Sequence, residues 1–221
     1  MNAVDLSVYA LVGPDHSGGR PLDALAAQLV EGGASLLQLR DKTSSTRDMV
    51  ASARAIRAAI GNAGVPLLIN DRVDVALAAE ADGVHIGWED IAAEDARRLL
   101  GPAAIIGLSI KTPQQAETAP LDLLDYVCIG GVFVTTSKNN PEPPVGVSGF
   151  GALAAIIRRR KPGMPVGAIA GIDSSNAADV IAAGADGVAV ISALSLASDP
   201  KAATQALRAI VDRAVSARER A

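Results

Sequence analysis

Short aliphatic runs and helical stretches alternate along the whole chain. The runs fall at residues 7–11, 35–39, 66–69, 83–86, 104–108, 126–129, 166–169 and 187–190. They are rich in Val, Ile and Leu and continuous rather than alternating, as expected of parallel strands covered on both faces. Between most of them lie Ala-rich stretches with helical spacing, at 22–30, 46–60, 92–100, 148–159, 176–182 and 200–217. Ser44 or Ser45 is placed to cap the second helix, and Ser174 or Ser175 the seventh. Gly184-Ala-Asp-Gly187 and Ala81-Asp-Gly83 read as near-duplicate helix-to-strand turns, which suggests internal repetition with a period of roughly 28 residues. Eight strand–helix units predict an α/β chain folded as one closed (β/α)8 TIM barrel over residues 1–221, with an open doubly wound sheet as the alternative.

Composition narrows this further. Hydrophobic residues make up 49% of the chain but aromatics only 2%, so the core must be aliphatic. A net charge of -4 and a pI near 5.2 argue against nucleic acid as a partner. The one basic cluster, Arg158-Arg-Arg-Lys161, ends a helical pattern, where cations suit the helix dipole. The single cysteine, Cys128, excludes a disulfide framework and sits in an aliphatic run as inert core. No signal peptide and no membrane-length apolar run is present, so a soluble cytoplasmic protein without membrane partners is expected. The oligomeric state stays open, and a homo-oligomer is compatible with everything above.

Candidate chemistry gathers where the strands end. In Leu36-Leu-Gln-Leu-Arg-Asp-Lys42 the period of a strand puts Gln38, Arg40 and Lys42 on one side. Burying two cations is costly without an anion, and Arg beside Lys suits phosphate, so this end reads as a diphosphate pocket. Asn70-Asp71 follows the third strand and Trp88-Glu89-Asp90 the fourth. Neighbouring Asp71 and Asp90 suit Mg2+, which keeps waters and binds substrate phosphates. The structural alternatives are an Asp71–Arg72 pair and a helix cap by Asp90 near Ile91. Ser109 follows the fifth strand as a ligand or a helix cap. Residues 130–149 form a long connection carrying Thr135, Ser137 and Lys138, expected to act as a lid or to be a solvated tip. Gly171 and Ser192 end the seventh and eighth strands, where such barrels hold phosphate. Two anion sites on one rim point to a reaction joining a diphosphate to a monophosphate. His85 reads as structural or pocket-lining, and no Cys–His or Ser–His nucleophile pair is evident.

An ordered set of motifs completes the reading: Gln38-Leu-Arg-Asp-Lys42, Asn70-Asp-Arg72, Ala81-Asp-Gly-Val-His-Ile-Gly87 with Asp90, and Gly107-Leu-Ser109. Then come Asp125-Tyr126, Phe133-Val-Thr-Thr-Ser-Lys138, Ala168-Ile-Ala-Gly-Ile172 and Gly184-Ala-Asp-Gly-Val-Ala-Val-Ile-Ser192. From the second strand to the eighth, the chain resembles the thiamine phosphate synthase family. The resemblance implies a transferase that joins hydroxymethylpyrimidine diphosphate to thiazole phosphate and releases diphosphate. It implies that Gln38, Arg40, Lys42, Asn70, Ser109 and Lys138 bind the pyrimidine diphosphate, with Arg40, Lys42, Lys138 and Ser109 acting in catalysis. Asp71 and Asp90 would hold Mg2+. Thr135, Thr136, Ser137, Gly171, Ile191 and Ser192 would bind the thiazole phosphate. Trp88 stands where that family has glutamine, Gly131 and Val134 replace prolines, and Ala170 replaces one glycine of a Gly-Gly pair. A thiazole tautomerase-like isomerase and a non-catalytic phosphate-ligand-binding homologue are the alternatives.

Overall fold

The computed structural model describes residues 4–137 and 143–220. Eight strands run in chain order: β1 Val8–Val12, β2 Leu36–Leu39, β3 Leu67–Asn70, β4 Gly83–Ile86, β5 Ile105–Ile110, β6 Tyr126–Ile129, β7 Val166–Ile169 and β8 Gly187–Val190. Every neighbouring pair is parallel, and β8 pairs with β1 through Val8 and Val188, closing the barrel. The closed, parallel eight-strand barrel with its ring of helices is the expected TIM fold, and the open-sheet alternative is excluded. Among the described residues no helix is long and apolar enough to cross a membrane.

The helices are α1 Leu22–Glu31, α2 Thr46–Ile60, α3 Val73–Ala79, α4 Ala93–Leu100, α5 Pro113–Thr118, α6 Gly146–Arg160, α7 Ala177–Ala182, α8 Ser192–Ser195 and α9 Pro200–Glu219. Their apolar stripes, such as Met49, Ala53, Ile56 and Ile60 of α2, cover the outward residues of the strands. Ser45 caps α2 by accepting from the Asp48 N–H at 3.2 Å, a contact worth about 1 kcal/mol. The expected serine cap of α7 is wrong: its N-cap is Asn176, and Asp173 instead accepts from the Ser175 N–H at 2.8 Å. Three short helices, α3, α5 and α8, carry too few turns to show an apolar period. The connection after β6 is shorter than expected, because α6 already begins at Gly146.

The Ala-Asp-Gly turns have a shared purpose. The first N–H of a parallel strand needs an acceptor that the ladder does not always supply. Asp82, just before β4, accepts from the Leu67 N–H that opens β3 at 2.8 Å. Asp125 does the same for Ile106 in β5 and Asp186 for Val166, which opens β7, each at 2.8 Å. Ser35, before β2, takes this part for Val8 of β1 at 3.1 Å. One acceptor ahead of each even strand thus anchors the odd strand before it. The basic cluster works at the same end of the barrel. Arg158 binds Asp186, Arg160 binds the Ala116 and Ala119 carbonyls, and Lys161 binds the Leu121 carbonyl.

Strand alternation sorts the remaining side chains. Leu6, Tyr9, Leu11, Leu36, Leu68, Tyr126, Cys128 and Ala189 form a cluster separate from the strand–helix layer, inside the barrel. Both tyrosines of the chain are therefore interior. Gly107 of β5 makes this possible, because a Cβ there would lie 2.0 Å from the Tyr126 ring. Burial pushes the Cys128 thiol up, so it stays protonated and unreactive, as the inert-core reading required.

Candidate active site

A cavity of about 850 Å³ opens where the strands end. Its lining includes Gln38, Arg40, Asn70, Asp90, Ser109, Thr135, Thr136, Ser137, Gly171, Ile191 and Ser192. Those eleven positions, chosen from sequence, surround one space. Gln38 is inward and 1% exposed, while Arg40, two residues further along the same face, lies half-buried at the wall. Lys42 continues outward and is 48% exposed, where its ammonium pairs with Asp71 beside the rim rather than lining the cavity. Lys138 lies outside the described residues.

The two candidate metal ligands do face each other. Burial raises the Asp71 carboxyl above its ordinary value; the Lys42 ammonium opposes this and the Asp90 carboxylate reinforces it. Two carboxylates crowded in this way are relieved by a cation between them. Among the described residues no group of three or more His, Cys, Asp or Glu converges, so any ion held here needs ligands from water or substrate. The structural alternatives fail in detail. Arg72 pairs with Asp74 and Thr46 rather than with Asp71. Asp90 accepts from the Gly87 N–H at 2.8 Å, closing its own turn, and α4 starts only at Ala93. Asp71 itself has φ of 60°, a left-handed conformation that Asp tolerates better than most residues.

Ser109 is a strand residue, not a helix cap, because β5 runs on to Ile110 and Thr112 caps α5. Its Oγ lies 2.9 Å from His85 Nε2, a contact that the sequence did not reveal. The two residues sit on adjacent strands, β4 and β5, and sequence distance conceals that. Sequence reasoning also missed Lys111 and Gln115 in the lining. Lys111 was findable, since Gly107, Ser109 and Lys111 repeat the period-two pattern of Gln38, Arg40 and Lys42. Gln115 serves the α5 capping box, accepting from the Thr112 N–H at 3.2 Å, and it also accepts from the Lys111 N–H at 2.7 Å.

The far side of the cavity is built from the loops after β6, β7 and β8. Ser137 donates to Ser192 at 3.3 Å, tying the first of these loops to the last. The Val132 and Phe133 N–H groups donate to Ile169 and Ala170 carbonyls at 3.0 and 3.1 Å, joining it to β7. Gly171 is required here, with φ of 67° and a position where a Cβ would lie 2.4 Å from the Val134 carbonyl oxygen. Trp88, 43% exposed, stands at the mouth beside Asp90.

Fold and site together define a TIM-barrel protein whose cavity gathers cationic and hydroxyl groups, with a pair of acidic groups beside its rim. The thiamine monophosphate synthase family model matches residues 8–194, and the chain belongs to that family. It is 54% identical over 219 residues to the thiamine-phosphate synthase of Agrobacterium fabrum, covering 99% of this chain and 100% of that one. With the thiamine-phosphate synthase of Roseiflexus sp. it shares 46% over 214 residues, covering 97% and 89%. The solved thiamine phosphate pyrophosphorylase from Pyrococcus furiosus superposes with a TM-score of 0.83 at 33% identity, over 96% of this chain and 98% of that one.

Proposed function

We propose that the protein is a transferase of thiamine biosynthesis, joining hydroxymethylpyrimidine diphosphate to thiazole phosphate with release of diphosphate. The observation that carries this is the cavity itself. Gln38, Arg40 and the Ser137–Ser192 pair all line it, which supports a reading of two anion-binding regions facing one space. The Gln38 Oε1 is buried and has no hydrogen-bond partner among the described residues, so it is an acceptor suited to an amino group on the pyrimidine. Arg40 binds the leaving diphosphate by charge-assisted bonds, and Ser109 adds a hydroxyl donor. Lys42 exchanges its Asp71 contact for phosphate when substrate arrives, and Lys138 supplies a further cation. Ser137, Ser192, Thr135, Thr136 and the backbone at Gly171 and Ile191 bind the thiazole phosphate.

In the reaction the bond between the pyrimidine methylene carbon and the diphosphate oxygen breaks, and the thiazole nitrogen bonds to that carbon. These residues do little acid–base work; they stabilise charge building on the leaving group. Asp71 and Asp90 fit Mg2+, since each offers a carboxylate oxygen at the rim and their mutual crowding favours a cation. When bound, Mg2+ would neutralise the departing diphosphate.

The test is mass detection of thiamine phosphate from purified protein with both substrates and Mg2+. Substrate binding without product would make the protein a non-catalytic homologue. Isomerisation of a thiazole precursor without condensation would make it a tautomerase.

A further inference from the structure

Beneath the cavity a hydrogen-bonded chain crosses the barrel interior. Gln38 Nε2 on β2 donates to the Tyr9 hydroxyl on β1. The Tyr9 and Tyr126 hydroxyls are 2.9 Å apart, and the Tyr126 hydroxyl lies 2.8 Å from His85 Nδ1. His85 Nε2 then meets Ser109 Oγ at 2.9 Å. The rings are held by packing: Tyr9 and Tyr126 meet edge to face with centroids 5.8 Å apart, and His85 lies 5.5 Å from Tyr126.

The polarity of this chain follows from its first bond. An amide nitrogen can only donate, so the Tyr9 oxygen accepts from Gln38. Tyr9 has one proton left, and the Tyr126 oxygen is the acceptor beside it. Were Tyr126 to donate to Tyr9 instead, the Tyr9 proton would be buried without an acceptor, at a cost large enough to bias the chain strongly. Tyr126 therefore spends its own proton on His85 Nδ1. A neutral imidazole with a bare Nδ1 carries its proton on Nε2, and that proton goes to Ser109. Burial pushes both tyrosine hydroxyls well above their ordinary values, so neither gives up its proton. Ser109 is left with a hydroxyl proton to aim into the cavity it lines.

We propose that Gln38, Tyr9, Tyr126 and His85 form a one-way hydrogen-bond relay that fixes Ser109 as a donor to an anionic ligand group, with Tyr9, Tyr126 and His85 as positioning residues. The identity of that group as the diphosphate rests on the transferase reading above. The relay also decides what the Ser–His pair is. His85 donates to Ser109 rather than taking its proton, so the pair is not a nucleophile and base. Both ends of the relay open on the cavity. A ligand N–H at Gln38 Oε1 holds the amide in the orientation that sets the direction, and so readies Ser109 on the far strand.

The chain has only two histidines, His16 and His85, which makes the test direct. Nitrogen-15 NMR of histidine-labelled protein at about pH 8.5, well above the ordinary imidazole value of about 6.5, reads the tautomer. We expect His85 as the Nε2–H form, and a shift of both its nitrogen signals towards a tautomer mixture in Tyr126→Phe, with His16 unmoved. Tyr9→Phe, one bond further away, should give the same mixture and replaces Tyr126→Phe if that variant does not fold. Turnover in Tyr126→Phe should fall about five- to tenfold, a partial loss of the Ser109 bond to the anionic group in the transition state, with KM for the thiazole substrate unchanged. A bare Nε2 in the unmodified protein, or signals unchanged by both substitutions, would overturn the relay. A shifted tautomer with undiminished turnover would remove it from the reaction. Protein that shows the Nε2–H form but makes no thiamine phosphate would refute the transferase reading and leave the relay standing.

Discussion

Replacing Ala170 by glycine should stabilise this protein, the reverse of the usual cost of that change. Ala170 follows β7 with φ of 85°, in the region where an L side chain crowds its own backbone. Holding a non-glycine residue in such a sparsely populated conformation costs about 1–3 kcal/mol. Glycine removes that strain but frees the unfolded chain, which costs about 0.4–1 kcal/mol. It also gives up a methyl group worth about 0.8 kcal/mol if fully buried, and roughly half that at this half-buried position. The strain is the largest of the three, and the net is a gain of about 1 kcal/mol. In a chain of this size that raises Tm by about 2–4 °C. Gly171→Ala is the control with opposite sign. It imposes the same kind of strain, and its new Cβ would lie 2.4 Å from the Val134 carbonyl oxygen, so the loop after β6 must move. Calorimetry on the two variants checks both signs. A Tm for Ala170→Gly at or below that of the parent would show that the backbone at this position relaxes without strain, and would refute the reasoning.

Asp71→Asn and Asp90→Asn should each raise the Mg2+ concentration needed for half-maximal turnover, and undiminished activity in EDTA would end the metal role. Because the Asp71 carboxyl sits above its unfolded value of 3.8, it favours the metal-free fold at low pH and loses that contribution as pH rises through the folded value. Urea midpoints of Asp71→Asn against the parent should therefore show the variant relatively more stable at neutral pH than at pH near 3. Arg40→Ala removes charge-assisted bonds worth about 1.5–3 kcal/mol, so kcat/KM for the pyrimidine substrate should fall roughly 10- to 150-fold. Ser192→Ala should raise KM for the thiazole substrate about two- to tenfold, because the backbone donors at Gly171 and Ile191 remain to the phosphate; an effect confined to the pyrimidine substrate would mean the two regions are exchanged.

What could be read from the sequence follows from the range of each signal. Strand and long-helix positions were legible because burial on both faces writes uninterrupted Val, Ile and Leu, and α2 writes four turns of amphipathic spacing. Short helices such as α5 leave no such trace. Gln38 and Arg40 were legible because two-residue alternation places them on one face within a single strand. The partners of Asp71 and Arg72 were not. Adjacency in sequence suggested that they pair with each other, whereas the positive φ at Asp71 turns its carboxylate to Lys42 across the strands. The His85–Ser109 contact escaped for the same reason: it depends on β4–β5 register, in which His85 lies opposite Gly107. The Ala170 departure was visible as a missing glycine, but its strain only appears with the backbone angle.

The polar interior of the barrel has no rationale in stability alone. TIM barrels commonly fill this space with branched aliphatic residues, which need no partners. Here Gln38, His85 and two tyrosines occupy it, each losing water on burial and each regaining at most its hydrogen bonds. Such a network matches an aliphatic core only when every member is satisfied. Within the described residues one buried side-chain atom is left without a partner, Gln38 Oε1, and it belongs to a residue lining the cavity. An unsatisfied acceptor at that place is a cost to the empty protein that a ligand N–H would cancel. The rest of the chain leads from that acceptor to the Ser109 hydroxyl on the same cavity. A network whose two ends both open on the ligand space, and whose single deficit lies there, is organised around what binds rather than around what folds.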